Sequence, residues 1–276
     1  MRIFISADME GATGVVDVAQ TRFVEREYAF GCKMQLHDVR AVIEGALEAG
    51  ANEILVNDSH GRMINLDIEG MKFDSRVRLL SGSPKTFSMM QGFDPADAVF
   101  FVGYHAKAGT ARAILDHTIH GTAVYSIFLN GKEVGETGLN AACCAQKKIP
   151  LALVTGDFAT CTEARDLLGE SVITACVKAA HGRMAADCLL PDESAKVLKA
   201  AAMKAVEQVR AHKAPCMDIG DGSFELLLTF YNSMQCDFAS TIPGTERLDG
   251  RTVRVTGTDM TTMMRWAIAL ISLGGR

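Results

Sequence analysis

The pattern that most restricts the fold lies in the first sixty residues. "RIFIS" at residues 2–6 is a short apolar run, "FGCKMQLHDVRAVIEGALEAGA" at 30–51 carries Val39, Val42, Ile43, Ala46 and Leu47 at helical spacing, and "EILVN" at 53–57 is apolar again. Buried strand, amphipathic helix ending at the capping Gly50, buried strand: this is a β-α-β unit. Two strands separated by a helix cannot close as a hairpin, so a parallel crossover is expected. The alternation continues. "RVRLLSG" reads as a strand, "FSMMQGF" as a short helix and "DAVFFVGYH" as a strand. An Ala-rich helix runs from about Leu139, followed by strand "PLALVTGD", helix "TEARDLL" and strand "SVITACVKAA". "PDESAKVLKAAAMKAVEQVRAHK" is an amphipathic helix with a proline and acidic start. The fold class this predicts is α/β, with a mostly parallel central sheet flanked by helices on both faces.

Two stretches depart from the alternation. "AVYSIFLNGKEVGE" places two β-rich runs around Asn130-Gly131, a strong hairpin signal. The end of the chain, "FELLLTFYN", "RTVRVTG" and "TDMTTMMRWAIALISL", reads as strand, strand and helix, with Thr258 as the helix cap and Asp259 as a first-turn acid. A boundary in "HKAPCMDIGDG" divides the 276 residues into an α/β part at 1–212, which carries the chemistry, and a smaller α+β C-terminal part at 213–276 packed on it.

Charge and composition narrow the partners. A net charge of −5 and the lack of a dense Lys/Arg run argue against nucleic acid. No apolar stretch is long and clean enough to span a bilayer, and the start of the chain shows no signal-peptide pattern. The eight cysteines form no CxxC pair, and several lie in apolar, Ala-rich surroundings such as "LNAACCAQ". They read as reduced core thiols, and the expected location is the cytoplasm.

Ligands of open α/β sheets bind beyond the carboxyl ends of the strands. After "RIFIS" come Asp8 and Glu10, two residues apart and so on one side of an extended backbone. After "EILVN" comes His60, after "FFVGY" comes His105, and after the hairpin comes Glu136. Each has an ordinary reading on its own: a solvated acid, a turn residue in "NDSHG", a hydrogen-bonded core histidine, a first-turn glutamate. Together they are imidazoles and carboxylates gathered at strand ends, a mixed set that suits zinc and also manganese or iron. Five such groups exceed what one open catalytic site needs and suit two metals sharing a carboxylate. His117 and His120 in "LDHTIHG" lie on opposite faces if extended, so one of them can face such a site.

The blocks "SADMEG", "VNDSHGRM", "SGSPKTFSMMQG", "GYHAKAG", "DHT", "VGETGLNA", "VTGD" and "IPGTE" resemble, in order and spacing, the D-aminopeptidase family of metallopeptidases across nearly the whole chain. The resemblance implies a binuclear aminopeptidase with two zinc ions per chain, assembled as a ring-shaped homodecamer with its active sites facing an interior chamber. It implies that Asp8 bridges both metals, that Glu10 and His60 complete one site, and that His105 and Glu136 complete the other. Glu133 does not match the family pattern. His117, not His120, falls on the family's non-ligand catalytic histidine. The implied substrates are short peptides or aminoacyl amides, with a preference for D-residues that rests on the resemblance alone. A metal-dependent amidase or an L-aminopeptidase is the alternative enzyme, because ligands fix metals and not substrates. A binding protein with a structural metal is disfavoured, since structural sites are closed and usually four-coordinate.

Overall fold

The computed structural model describes residues 1–275. The strands are β1 (Arg2–Ala7), β2 (Glu53–Asp58), β3 (Val77–Leu80), β4 (Ala98–Tyr104), β5 (Val124–Leu129), β6 (Lys132–Glu133), β7 (Leu151–Asp157), β8 (Ile173–Gly182), β9 (Ala185–Cys188), β10 (Phe224–Phe230), β11 (Glu246–Arg247) and β12 (Thr252–Gly257). The α-helices are α1 (Tyr28–Glu48), α2 (Glu136–Gln146), α3 (Phe158–Leu168), α4 (Pro191–Arg210), α5 (Ser233–Ala239) and α6 (Met260–Gly274).

Among the described residues the strands form two sheets. The larger runs β3-β2-β1-β4-β7-β8-β9 and is parallel except for β9. Strands β4 and β7 are buried along their whole length, as expected of the centre of a parallel sheet. Alternation along the strands sends Ile3, Ile5, Phe100 and Val102 toward α1 and α4, and Phe4, Val99 and Phe101 toward α2 and α3. Helices therefore cover both faces, the architecture the alternating sequence predicts. The smaller sheet, β11-β12-β10-β5-β6, is antiparallel. It joins the Asn130-Gly131 hairpin to strands contributed from 224–257, so residues on both sides of 212 build it. Asn130 and Gly131 have φ of 50° and 76°, the pair of positive values a two-residue type I′ turn requires.

Three local expectations are revised. The Ala-rich helix begins at Glu136, not Leu139, because extended Gly135 serves as its N-cap. "FSMMQGF" holds only a 3-10 turn, Ser88–Met90. The last helix is capped by Asp259 itself and not by Thr258. Asp259 is extended (φ −129°, ψ 113°), which brings its carboxylate within reach of the Thr262 N–H (2.8 Å) and hydroxyl (2.6 Å).

The backbone just past β1 and the end of β4 touch closely. The Asp8 N–H donates to the Val102 carbonyl and the Gly11 N–H to the Gly103 carbonyl, both at 2.8 Å. A Cβ on Gly11 would overlap the Tyr104 carbonyl oxygen, and one on Gly103, whose φ is +72°, would overlap the Asp8 carbonyl. Gly11→Ala is expected to destabilise the fold by on the order of 3 kcal/mol or more, whereas Gly250→Ala, in open space, should stay within about 0.5 kcal/mol of wild type. Urea unfolding midpoints of the two variants provide the check.

Candidate metal centre

The topology sets β2, β1 and β4 side by side, so the segments leaving their carboxyl ends meet over one edge of the sheet. Asp8 and Glu10 follow β1. His60 follows β2, in a loop closed by Asp58, whose carboxylate accepts from Asn65 Nδ2 (2.7 Å) and the Leu66 N–H (2.8 Å). His105 follows β4, and Glu136 opens α2. His117 lies on the 106–119 segment, tied down where the Ile114 N–H donates to Asp157 (2.7 Å) and the Ile119 N–H to Glu136 Oε1 (2.6 Å).

These side chains converge. His60 Nδ1 is 3.2 Å from Asp8 Oδ1 and 3.0 Å from Glu10 Oε2, so both acids reach one histidine, although Glu10 lies in a turn past the end of β1 and not on extended backbone. His105 Nε2 is 3.2 Å from Glu136 Oε1 and 3.5 Å from Asp8 Oδ2, which makes Asp8 the acid that faces both histidines. The His117 ring stacks on His105 at 4.0 Å between centroids and 11° between planes, with its Nε2 3.8 Å from Glu136 Oε1. His120 is bonded to Thr122 and stands apart, and Glu133 is paired with Lys107.

All three imidazoles are oriented in the same way. His60 Nε2–H donates to the Thr21 carbonyl (2.8 Å), His105 Nδ1–H to the Ala106 carbonyl (3.0 Å), and His117 Nδ1–H to the Leu115 carbonyl (2.8 Å). A carbonyl can only accept, so the proton is fixed on the outer nitrogen and the other nitrogen faces the carboxylates. This is the outer-shell arrangement that holds metal-ligating histidines.

The charge balance shows what the site lacks. Asp8, Glu10 and Glu136 are at most 5% exposed. Burial, reinforced by the charge of Glu10, raises the Asp8 carboxyl to about 7. Burial would raise Glu10 and Glu136 too, but His60 and His105 respectively outweigh it and hold them low. The two histidines are in turn held well above their usual value against burial, chiefly by Glu10 for His60 and Glu136 for His105. His117 goes the other way, lowered by burial and by the neighbouring His105. Acids and imidazoles thus favour each other's charged forms, and a divalent cation can take the place of protons in such a cluster.

The donors fit that cation. Asp8 Oδ2, Glu10 Oε2 and His105 Nε2 are buried with no hydrogen-bond partner. Glu10 Oε2 is close to His60 but lacks the angle for a hydrogen bond, as expected of atoms aimed at a shared point. Ligand atoms of Asp8, Glu10 and His60 lie within 4.8 Å of one another, and so do those of His105, His117 and Glu136. Carboxylate oxygens and imidazole nitrogens at this density suit zinc. A cavity of about 670 Å³ lies beside the centre and not over it; Lys107 and Glu133, on its wall, neighbour His105 and Glu136 in sequence.

Two supporting residues are not among the candidates that the sequence singles out, although Asp157 closes the "VTGD" block. Asp157, at the end of β7, caps α3 and anchors Ile114. Lys178, in β8, is buried with its ammonium on three backbone carbonyls and pulled down to about 8 by burial. A lysine within the apolar run "ITACVKAA" is the sequence signal for it.

Comparison with known proteins identifies the family. The D-aminopeptidase family model, peptidase family M55, matches residues 1–269. The D-aminopeptidase of Bacillus subtilis (strain 168) is 34% identical over 256 residues, which cover 91% of this chain and 89% of that protein. The solved structure of the Zn-dependent D-aminopeptidase DppA from Bacillus subtilis, a self-compartmentalizing protease, superposes with a TM-score of 0.94 at 32% identity, over 100% of this chain and 98% of that one. The chain therefore belongs to the D-aminopeptidase family, and with it to the metallopeptidases.

Proposed function

We propose that this protein is a binuclear zinc aminopeptidase that removes the N-terminal residue, a D-residue by preference, from short peptides. The observation that carries the reading is the pair of adjacent donor groups with Asp8 facing both histidines. In it, Asp8 would be shared by two ions, Glu10 and His60 would help hold one, and His105 and Glu136 the other. Bound there, the zinc pair supplies Lewis acidity that lowers the pKa of a water and polarises the scissile carbonyl.

The chain's own groups do the rest. The substrate's free amine and scissile carbonyl would bind near the metals held by these residues, which favours a chain end over an internal peptide bond. His117 Nδ1–H is committed to the Leu115 carbonyl, so its Nε2 faces inward. Nε2 accepts the proton of the attacking water and returns it to the leaving amine, or holds it against the tetrahedral oxyanion. Burial of the carboxylates removes competing solvent and strengthens each of these interactions.

The solved relative is a self-compartmentalizing protease, and we extend assembly to this chain as a homodecamer. Exposed Tyr125 and Tyr231, edge to face at 5.6 Å, and Met234 offer apolar surface for subunit contacts. A cytoplasmic location is part of the same proposal; among the described residues no helix is long and apolar enough to cross a membrane.

Three outcomes are expected. Elemental analysis of purified protein gives close to two zinc ions per chain, and Asp8→Ala loses both; an Asp8→Ala protein that keeps two removes Asp8 as the bridge. His117→Ala loses turnover by roughly 100-fold or more while retaining both metals. Loss of a metal instead would make His117 a ligand, as its place beside His105 and Glu136 allows. In a panel of D- and L-aminoacyl amides and dipeptides, kcat/KM favours the D-series; a preference for L-residues or for non-peptide amides would reassign the substrate and leave the centre intact.

A further inference from the structure

The segment that carries Glu10 leaves β1 as a run of turns, the Ala12 N–H bonding the Met9 carbonyl (3.0 Å) and the Val15 N–H the Ala12 carbonyl (3.1 Å). Three carbonyl oxygens of this segment turn inward onto one atom. Lys178 Nζ donates to Glu10 O at 2.6 Å, to Ala12 O at 2.7 Å and to Val15 O. Lys178 is 2% exposed, and among the described residues its ammonium forms no ion pair with a carboxylate. A lysine has three N–H donors, and all three are spent on this one segment. Burying an ammonium away from water is costly, and here its three hydrogen bonds go to backbone oxygens whose positions it fixes, with the charges of Asp157, Asp38 and Glu10 adding to the compensation.

The other contacts of the segment fall on either side of Glu10. Asp8 and Gly11 are held by N–H bonds to Val102 and Gly103. Thr13 is held from α1 by Asp38, through its N–H (2.9 Å) and hydroxyl (2.7 Å). Ala12 and Val15 pack with Met34, Ile114 and Leu115. The Glu10 carbonyl itself bonds Lys178. Asp8, expected to touch both metals, is thus held without Lys178, whereas the peptide that follows Glu10, expected to touch one, is held between Gly103 on its N–H and Lys178 on its carbonyl.

We propose that Lys178 is a positioning residue that acts on one half of the centre: by gripping the Glu10, Ala12 and Val15 carbonyls it aims the Glu10 carboxylate beside His60, without touching substrate. This rests on the binuclear reading above. Its signature is asymmetry, since a residue that merely braced the fold would affect both metal positions alike.

The test uses full-length protein and zinc titrated against a chromophoric chelator. Lys178→Met keeps the apolar stem and removes the three donors. It is expected to weaken one zinc roughly tenfold to a hundredfold, the range for loss of an outer-shell partner, and to leave the other within about threefold of wild type. Added free zinc should then restore much of the lost kcat. In metal-free protein, faster amide exchange should be confined to residues 9–16. Thr13→Val, which disturbs the same segment from the α1 side, should leave both affinities within about threefold of wild type. Lys178→Gln retains N–H donors and gives a second route should the methionine variant fail to fold; it is expected to show the same asymmetry to a smaller degree. Equal weakening of both sites, or unchanged affinity at both, overturns the proposal. A wild-type chain that binds only one zinc overturns the binuclear reading and this proposal with it, and is recognised before any substitution is made.

Discussion

The structure depends on negative charge buried at one edge of a sheet. Asp8, Glu10 and Glu136 are nearly sealed from water, and carboxylates that close together raise one another's pKa unless positive charge intervenes. The surrounding parts answer that need. Two imidazoles sit among the acids, each turned by a backbone carbonyl so that one nitrogen faces inward. The acids hold those imidazoles above their usual pKa, and the unpartnered oxygens and nitrogen mark where cations fit.

Such a cluster needs a stiff mount, and the parallel sheet provides it. Strands β1, β2 and β4 are neighbours, so their loops leave the sheet a strand spacing apart. Glycines at 11 and 103 let two of these backbones approach more closely than any side chain permits. A small apolar cluster of Ala12, Val15, Met34, Ile114 and Leu115 then joins the segment bearing Glu10 to the one bearing His117. From the next strands outward, Asp157 and Lys178 brace the same two segments, one with a carboxylate on an N–H and the other with an ammonium on carbonyls. The precision of the centre is therefore distributed over residues that never reach it.

Much of this was legible in the sequence, for identifiable reasons. The β-α-β alternation predicts a parallel sheet because a helix between two buried strands leaves few other arrangements. Placing Asp8, Glu10, His60 and His105 just after strands predicts that they share an edge, since parallel strands end on the same side; Glu136 follows the antiparallel β6, so strand direction does not place it there. Less was legible where the outcome depended on contacts distant in sequence. Asn130-Gly131 signals a hairpin, but nothing local shows that β5 pairs with β10, nearly a hundred residues away. The cap of α6 turned on the backbone angles of Asp259, which residue type alone does not set. Of the two histidines in "LDHTIHG", only the folded segment brings His117 against His105 and leaves His120 aside.

By itself the sequence determined the fold class, the edge on which the chemistry gathers and the chemical type of the donors, because these follow from periodicity, strand direction and side-chain identity. Tertiary structure alone decided which atoms meet. Strand order makes Asp8, rather than Glu10, the acid facing both histidines. Backbone carbonyls select the inward nitrogen of each imidazole, and Lys178 is drawn beneath Glu10 across 168 residues of chain. These are matters of distance and angle between segments far apart in sequence, and only the packed sheet brings those segments together.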